Sequence, residues 1–270
     1  MFHSELYKNK IVLVTGGRSG IGYAIAKQML QLGATVIIAS RKEAPLKVAA
    51  EKLSAFGTCD YKACDIRKTD QIKELANHIK TNHGRLDILI NNAGGQFPAM
   101  AEYINDKGWN AVINNNLNGT FFMSREMAKA FFIPQKSGII TTITANVHRG
   151  FPGMIHTGAA RAGIENMTKT LALEWSEFNI RANCIAPGTI ESSGLSTYPK
   201  PVQDSFDEAR RQNPLGRFGT VEDVSNAVCF ISSDLGAYIT GITLYVDGAQ
   251  HLHSDVMGLR KVMNMFINPK

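Results

Sequence analysis

The amino-acid sequence predicts an α/β fold, in which a doubly wound parallel sheet of about seven strands carries helices on both faces. Two features of the chain predict this class. Short apolar runs rich in β-branched residues alternate with longer segments that place apolar residues at helical spacing. Apolar runs without polar alternation are typical of strands buried on both faces, as in parallel sheets. Because no repeat or linker interrupts the chain, we expect a single domain over 1–270.

The first strand, helix and second strand occupy the first 40 residues. Ile11–Thr15 is apolar and β-branched, and a pair of glycines ends it. The next segment is predicted to be a helix, because apolar residues recur at helical spacing and Gly33 closes it. Its apolar positions are Ile21, Ala24, Ile25, Met29 and Leu32. A second buried strand follows at 35–39, so this part of the chain is a βαβ unit.

The same alternation continues along the chain. We expect helices near 43–55 and 69–82, long helices over about 108–132 and 157–178, and strands near 60–64, 86–91, 139–143, 181–185 and 242–245. The segment 189–214 differs, since Gly194, Pro199 and Pro201 interrupt any regular pattern. We interpret that segment as a lid or substrate loop, and we expect 251–270 to form a C-terminal tail.

Charge and composition exclude several classes of function. The net charge of +6 and the pI of about 9.1 favour anionic ligands, but the basic residues are dispersed, so we expect no nucleic-acid partner. The first residues show no secretory leader, and no apolar run approaches the ~18 residues of a membrane helix. We therefore expect a cytoplasmic protein without a membrane partner. The four cysteines are not spaced as metal ligands, which predicts reduced thiols and no metal site.

The turn between the first strand and the first helix has the composition of a dinucleotide-binding loop. Glycine tolerates positive φ and lets a pyrophosphate approach the backbone at the amino end of a helix. An ordinary tight turn is the alternative, but the position between a buried strand and an amphipathic helix favours a cofactor. The loop residues predicted to bind it are Gly16, Arg18, Ser19, Gly20, Ile21 and Gly22.

Three motifs of the chain resemble those of the short-chain dehydrogenase/reductase family in order and spacing. They are Thr15-Gly16-x-x-x-Gly20-x-Gly22, Asn91-Asn92-Ala93-Gly94 and Pro187-Gly188, within a resemblance that spans about 8–250. It implies a Rossmann-type fold and cofactor contacts by Asp65 at the adenine edge, by Asn91, Ala93 and Gly94 on the ribose side, and by Pro187, Gly188 and Ile190 beside the nicotinamide. The alternatives are that Asp65 caps a helix and that Pro187-Gly188 is only a turn.

The end of the second strand distinguishes the two nicotinamide cofactors. NAD-dependent members of such folds place an acid there, which binds the ribose 2′-hydroxyl. This chain has Ser40 at that position and Arg41 after it, and a serine beside a guanidinium suits a 2′-phosphate. Arg18 can contact the same phosphate. We therefore expect NADPH/NADP as the cofactor, the alternative being that Arg41 is only solvated.

The catalytic positions of the family are altered in this chain. Members that reduce ketones carry a Tyr-x-x-x-Lys pair with a serine upstream. Alignment through Ala162-Gly163 puts Thr157 at the tyrosine and Arg161 at the lysine. Thr144 replaces the serine, and Asn116 keeps the family asparagine. A threonine hydroxyl is a poor general acid and Arg stays charged at working pH, yet both can stabilise an oxyanion, and Arg161 can also hold the ribose hydroxyls of the cofactor.

Such a donor site suits the reduction of a C=C bond conjugated to a carbonyl. Hydride addition at the β carbon gives an enolate, whose oxygen needs hydrogen-bond donors, and the last proton goes to the α carbon and can come from water. A ketone instead takes its proton on oxygen, which requires a proton donor at that position. We therefore expect NADPH-dependent reduction of a trans-2-enoyl thioester.

A closer resemblance points the same way. The segments 91–97, 107–109, 156–163 and 171–175 resemble the peroxisomal trans-2-enoyl-CoA reductases, to which the 2,4-dienoyl-CoA reductases are related. This favours CoA as the acyl carrier and leaves acyl-carrier protein as the alternative, and resemblance to the wider family implies a homo-oligomer, namely a tetramer. The dienoyl-CoA reductases carry a tyrosine at the position of Asn146, which is here a polar substitute or a loop residue.

Two other functions stay open. A non-catalytic NADP-binding protein is one, since three catalytic positions are changed, and a 3-oxoacyl or alcohol dehydrogenase that uses Asn146 or His156 is the other. His156 is otherwise expected to pack or to cap its helix. An acyl tunnel, or ordinary core, is expected from Phe97, Phe151, Met154, Leu195 and Tyr198. Arg260 and Lys261 either meet a CoA phosphate or belong to a solvated tail.

Overall fold

A parallel sheet of seven strands forms the centre of the protein, as the sequence predicts. The computed structural model describes residues 2–192, 200, 204 and 206–252. Its strands are β1 (Ile11–Thr15), β2 (Thr35–Ser40), β3 (Cys59–Ala63), β4 (Ile88–Asn91), β5 (Gly138–Ile143), β6 (Ile180–Pro187), β7 (Ile190–Glu191), β8 (Gly219–Thr220) and β9 (Thr243–Val246). The sheet order is β3-β2-β1-β4-β5-β6-β9, and β7 pairs separately with β8. The order reverses between β1 and β4, which is the switch point where open α/β sheets bind ligands.

Helices cover both faces of this sheet. They are α1 (Gly20–Gln31), α2 (Glu43–Leu53), α3 (Thr69–His83), α4 (Asp106–Ile113), α5 (Gly119–Met127), α6 (Ile133–Gln135), α7 (Ile155–Glu174), α8 (Phe206–Gln212) and α9 (Val221–Ile231). π-Helical turns at Asn114–Asn118 and Ala128–Phe132 join α4, α5 and α6 into one run. This run and α7 are the two long helices expected from the sequence, so the doubly wound class is confirmed.

Successive residues of the central strands face opposite sides of the sheet, which explains their continuous apolar sequence. In β1, Val12 and Val14 belong to a core that α1, α2 and α9 cover. Leu13 belongs to the opposite core, with its β4 neighbour Leu89 and with residues of α3 and α5. All four side chains are fully buried. A strand buried on both faces has no polar side, so the apolar run and the parallel sheet have one physical cause.

The segment 189–214 is partly regular, which corrects the expectation of an irregular substrate loop over its whole length. β7 lies at its start and α8 near its end. Ion pairs between successive turns stabilise α8, with Asp207 2.6 Å from Arg210 and Glu208 2.8 Å from Arg211. Residues outside the described part include Gly194, Leu195, Tyr198, Pro199, Pro201, Arg260 and Lys261, on which other expectations rested.

The four cysteines are free thiols, as the sequence predicts. Burial raises the pKa of Cys59, Cys64, Cys184 and Cys229 to about 12. These thiols therefore stay protonated and unreactive at neutral pH. In the described ranges, no cluster of His, Cys, Asp or Glu side chains could hold a metal ion. Nor does any helix of this described part have the length and apolarity to cross a membrane.

Candidate active site

The glycine turn after β1 is shaped by contacts that leave no room for side chains. Gly16 and Gly20 have φ values of +68° and +57°, which L residues rarely adopt. A Cβ on Gly16 would lie 2.8 Å from Nδ2 of Asn92, and one on Gly22 would lie 2.6 Å from the carbonyl oxygen of Gly16. The backbone is thus bare at the amino end of α1, which is where a pyrophosphate can approach it.

Thr15 and Asn92 hold this turn against the end of β4. The Thr15 hydroxyl accepts the main-chain N–H groups of Asn92 and Ala93, each at 3.0 Å. The Asn92 amide donates to the carbonyl of Thr15 at 3.0 Å. Asn91, by contrast, is 3% exposed and donates into the core, to Ser124 Oγ at 2.9 Å. The side chain of Asn91 therefore points away from the glycine turn. The ribose contact predicted for Asn91 would then involve its main chain.

A cleft of about 340 Å³ lies above the turn, at the switch point between β1 and β4. Seven residues predicted to bind the cofactor line it: Gly16, Arg18, Ser19, Ser40, Arg41, Ala93 and Gly94. Gly20, Ile21 and Gly22 form the first turn of α1 behind it. The sequence did not single out six further lining residues: Ala39, Lys42, Cys64, Ile66, Asn92 and Asn115. The cleft therefore lies where the glycine motif places a dinucleotide.

One end of the cleft is suited to an anion. Arg18, Arg41 and Lys42 are exposed there, none of them forms a salt bridge within the described part of the chain, and the charge of Arg41 helps to lower the pKa of Asp65. The Ser40 hydroxyl is buried and has no hydrogen-bond partner among the described residues. The lining residues include no Asp or Glu. The cleft lining thus presents three cations and an unpaired hydroxyl, with no carboxylate among the lining residues.

Asp65 forms an ion pair with Arg67, a residue that the sequence did not single out. The Arg67 guanidinium donates to both carboxylate oxygens, with Nε 2.8 Å from Oδ1 and Nη2 2.5 Å from Oδ2. The main-chain N–H of Arg67 also donates to Oδ1, at 3.1 Å. These hydrogen bonds lower the pKa of Asp65. Its neighbours Cys64 and Ile66 line the cleft, so the adenine contact of Asp65 stays a prediction that competes with this ion pair.

Arg161 is a buried cation in the middle of α7. It is 7% exposed, its Nη1 donates to the carbonyl of Ile143 at 2.8 Å, and its Nε has no partner among the described residues. Its Nη2 faces Gly94, where a Cβ would lie only 2.5 Å away. Burial lowers the pKa of Arg161 to about 10, so the side chain is still charged at neutral pH. A buried cation without a carboxylate partner is suited to an anionic or hydroxyl-bearing ligand.

Asn116 supports the loop at Gly94 and Gly95 from below. It is fully buried in the π-helical turn after α4. Its Nδ2 donates to the carbonyls of Gly95 at 2.8 Å and Val112 at 3.0 Å, and its Oδ1 accepts the N–H of Gly95 at 3.2 Å. The Asn116 amide is thus occupied by main-chain groups, which makes it a positioning group. Its neighbour Asn115 lines the cleft instead.

The two threonines at catalytic positions face protein atoms. Thr144 is 5% exposed and donates to the carbonyl of Ile185 at 3.1 Å. Thr157 is fully buried, and its hydroxyl lies 3.3 Å from Nδ1 of His156. Thr157 precedes Arg161 by one turn of α7, and Thr144 follows Ile143. The predicted catalytic residues therefore gather around Arg161, but the described conformation exposes neither hydroxyl.

The Pro187-Gly188 segment is fixed by its neighbours. A Cβ on Gly188 would lie 2.8 Å from Cβ of Asp247, and the N–H of Asn146 donates to the carbonyl of Pro187 at 3.2 Å. The Asn146 amide also donates to Asp247 at 3.1 Å. Ile190 follows in β7 and is 6% exposed. These contacts make Asn146 a tether of this loop, which fits the expectation of a loop residue.

Part of the expected acyl tunnel comes together beside α7. The loop with Phe97 and the loop with Phe151 and Met154 are joined by a hydrogen bond from Ala99 N–H to the carbonyl of Gly153, at 2.8 Å. Phe97 is 38% exposed. Its ring lies edge-on against the ring of His156, with centroids 4.6 Å apart. These contacts bring Phe97 close to the loop with Phe151 and Met154, and the acyl tunnel stays a prediction.

Comparisons with known proteins show which proteins the whole chain is similar to. The family model described as Enoyl-(Acyl carrier protein) reductase matches residues 16–251. The probable 2,4-dienoyl-CoA reductase of Bacillus subtilis (strain 168) is 36% identical over 249 residues, covering 91% of this chain and 98% of the relative. The 3-oxoacyl-[acyl-carrier-protein] reductase FabG of Thermotoga maritima is 35% identical over 243 residues, covering 89% and 97%. The crystal structure of a short chain dehydrogenase from Bacillus anthracis superposes with a TM-score of 0.84 at 39% identity, covering 92% and 99%.

Proposed function

The chain belongs to the short-chain dehydrogenase/reductase family of oxidoreductases, and from this premise we propose that it reduces the C=C bond of a trans-2-enoyl thioester with NADPH. The observation that carries the proposal is the buried, charged Arg161 beside Gly94, with Thr157 one turn before it. Arg161 and Thr157 stand where ketone-reducing relatives have lysine and tyrosine. Such a pair can stabilise a negative oxygen but is a poor source of protons for it.

The cleft fits a 2′-phosphorylated dinucleotide. The bare glycines of the turn allow the pyrophosphate to approach α1, and Ser40, whose hydroxyl is unpaired, lines the same cleft as Arg18, Arg41 and Lys42. We assign the 2′-phosphate to this cationic end, because a guanidinium offers a fixed charge and a fork of donors. We retain the cofactor contacts that family resemblance implies for five further residues, which are Asp65, Asn91, Pro187, Gly188 and Ile190. When bound, NADPH supplies the hydride.

The chain's own contribution to the chemistry is electrostatic. Hydride arrival at the β carbon moves negative charge onto the thioester oxygen, where the Thr157 hydroxyl donates a hydrogen bond and Arg161 supplies positive charge. Thr144 and Asn116 hold the surrounding main chain through Ile185 and Gly95. The proton of the product goes to the α carbon from water. Because the proton goes to carbon, the reaction needs no acidic side chain to protonate the thioester oxygen.

Two acyl-CoA substrates test this function directly. With NADPH, crotonyl-CoA is expected to be reduced and acetoacetyl-CoA is not, because only the enoyl substrate gives an enolate that can be protonated on carbon. Loss of absorbance at the nicotinamide band measures both reactions. Turnover of acetoacetyl-CoA alone would indicate a 3-oxoacyl reductase, the activity that the FabG relative is named for. NADPH binding without any turnover would indicate a non-catalytic protein.

Cofactor choice is tested at Arg41. Arg41→Ala is expected to raise the Kd of NADPH by about 10- to 150-fold, equivalent to about 1.5–3 kcal/mol for a charge-assisted contact. The Kd of NADH should hardly change, since NADH has no 2′-phosphate. Fluorescence titration of both cofactors measures the difference, and Lys47→Ala removes the same charge from an exposed position of α2 outside the cleft. Equal weakening of both cofactors would contradict this assignment.

We also propose that the protein forms a homotetramer through its long helices. Trp109, Phe121 and Leu173 lie on α4, α5 and α7 and are 37%, 36% and 79% exposed. Large apolar side chains on neighbouring exposed helices favour an interface between copies. Light scattering at micromolar concentration is expected to give about 118 kDa, four times the 29.5 kDa of one chain. A monomeric mass would exclude this assembly. The cytoplasmic location and CoA as carrier stay predictions.

A further inference from the structure

His156 occupies a protected position beside the proposed reaction centre. It is the second residue of α7, directly before Thr157, and it is fully buried. The Phe97 ring packs against it in a T-shaped contact, with an interplanar angle of 74°. Phe97 also lies over α4, where a Cβ on Gly108 would be 2.9 Å from the tip of its ring. One partly exposed aromatic side chain therefore separates the imidazole from the surface.

The two ring nitrogens of His156 have different surroundings. Nδ1 accepts the main-chain N–H of Thr157 at 2.8 Å, so the hydrogen of the neutral ring belongs on Nε2. Nε2 is buried and has no hydrogen-bond partner among the described residues. A buried donor without a partner costs roughly 1–3 kcal/mol, and such groups are rare in folded proteins. This N–H group therefore points to an acceptor supplied by a ligand.

The imidazole is held in its neutral form. Burial lowers the pKa of His156, and a hydrogen bond from the ring to the Met154 main chain opposes that effect. The amino end of α7 acts in the same direction as burial, because its positive dipole disfavours an imidazolium. A neutral imidazole whose Nδ1 is fixed by a backbone amide can donate from Nε2 to a polarised carbonyl, as it does in triosephosphate isomerase. His156 is thus built as a hydrogen-bond donor and not as a charged acid.

On the basis of the proposed reductase function, we infer that His156 is a further catalytic residue, whose Nε2–H donates to the carbonyl oxygen of the acyl thioester. The acceptor must be an oxygen that gains negative charge, because a preorganised donor gains most from such an atom. Thr157 adjoins His156 at the position where ketone-reducing relatives act on a substrate oxygen. Phe97 is the apolar surface that the entering acyl group displaces.

The proton of His156 is not transferred in this scheme. Hydride from NADPH forms the new bond at the β carbon, the C=C pair shifts toward the carbonyl carbon, and the carbonyl π pair moves to oxygen. Nε2–H stabilises that enolate oxygen and keeps its hydrogen throughout. Water then gives a proton to the α carbon, the carbonyl re-forms, and NADP⁺ and hydroxide are the other products. His156 ends in the protonation state in which it began.

Two substitutions of the full chain test this assignment with crotonyl-CoA and NADPH. His156→Phe keeps an aromatic ring under Phe97 but removes the donor, and it is expected to lower kcat by about 10²- to 10³-fold. His156→Gln can place an amide N–H near the position of Nε2, and we expect it to recover at least about tenfold of that loss. The Kd of NADPH should stay within about threefold of wild type in both variants, because the donor acts on the acyl oxygen.

Nitrogen NMR of the wild-type protein provides a second test that needs no variant to fold. The neutral Nε2–H tautomer is expected for His156, with a shift of its Nε2 resonance when butyryl-CoA and NADP⁺ bind. A charged ring, the Nδ1–H tautomer or an unchanged resonance would overturn the inference, as would His156→Phe with a kcat within about threefold of wild type. Wild-type protein inactive on crotonyl-CoA would overturn the proposed function as well. The two failures are therefore distinguishable.

Discussion

Arg161→Met is expected to lower kcat on crotonyl-CoA by about 10²- to 10³-fold at saturating NADPH, and to raise the melting temperature of the cofactor-free protein. The loss of rate follows from the removal of a fixed positive charge beside Gly94. The gain in stability follows from burial, since the guanidinium donates to the main chain at Ile143 and has an unpartnered Nε among the described residues. Activity and stability should thus change in opposite directions.

The sign of the stability change comes from the pKa of Arg161. Burial lowers this pKa to about 10, so the folded protein disfavours the charged form more than the unfolded chain does. Below pH 10 the folded state therefore carries the full cost of the buried charge, and it regains stability only as the pH rises through that value. Methionine has a similar length without the charge, and we expect about 1–2 kcal/mol of stabilisation at neutral pH.

Arg161→Lys is the matched control for this experiment. It restores the residue type of the ketone-reducing relatives and keeps a positive charge, so kcat should fall much less than in Arg161→Met. Calorimetry and steady-state kinetics on the same preparations measure both effects. A methionine variant that melts lower than wild type would show that the main-chain contact to Ile143 outweighs the cost of burying the charge. Unchanged kcat would remove Arg161 from the reaction.

The strands could be predicted because burial on both faces leaves an unmixed apolar sequence, as in β1. Their ends were less certain. We predicted that the fourth strand starts near residue 86, but β4 begins at Ile88. The reason is Gln135, whose side chain donates to the carbonyl of Leu86 at 2.7 Å and accepts its N–H at 3.4 Å. A side chain distant in sequence thus takes the main-chain groups that would have extended the strand.

The sequence predicted the site residues well where a residue acts through its own backbone. It predicted them less well where neighbouring side chains compete for the same contact. The bare glycines and the cations at Arg18 and Arg41 follow from local sequence. The sequence singled out Asn116 and missed Asn115, because the π-helical turn changes the helical phase at this point and turns Asn116 inward, while Asn115 lines the cleft. The ion pair of Asp65 with Arg67 depends on a local side-chain geometry that the family motif does not encode.

Thr157→Val is the second substitution with a large expected effect. It removes the hydroxyl and nearly preserves the shape of a fully buried side chain, and it should lower kcat on crotonyl-CoA by about 10²- to 10³-fold, or about 2.7–4 kcal/mol. Thr157→Ser keeps a hydroxyl and should retain most of the activity. The Kd of NADPH should barely change, because this donor acts in the transition state.

If Thr157→Val turned over crotonyl-CoA as fast as wild type, another group would have to donate to the substrate oxygen. The structure limits which groups can do so. Thr144 already donates to Ile185, and the Asn116 amide is bound to main-chain groups. The amide of Asn146 donates to Asp247. The main-chain N–H at position 157, which valine retains, still fixes Nδ1 of His156 and leaves its Nε2–H free. In that outcome kcat should depend on His156 and Arg161 alone, and Thr157→Val combined with His156→Phe should be no slower than His156→Phe by itself.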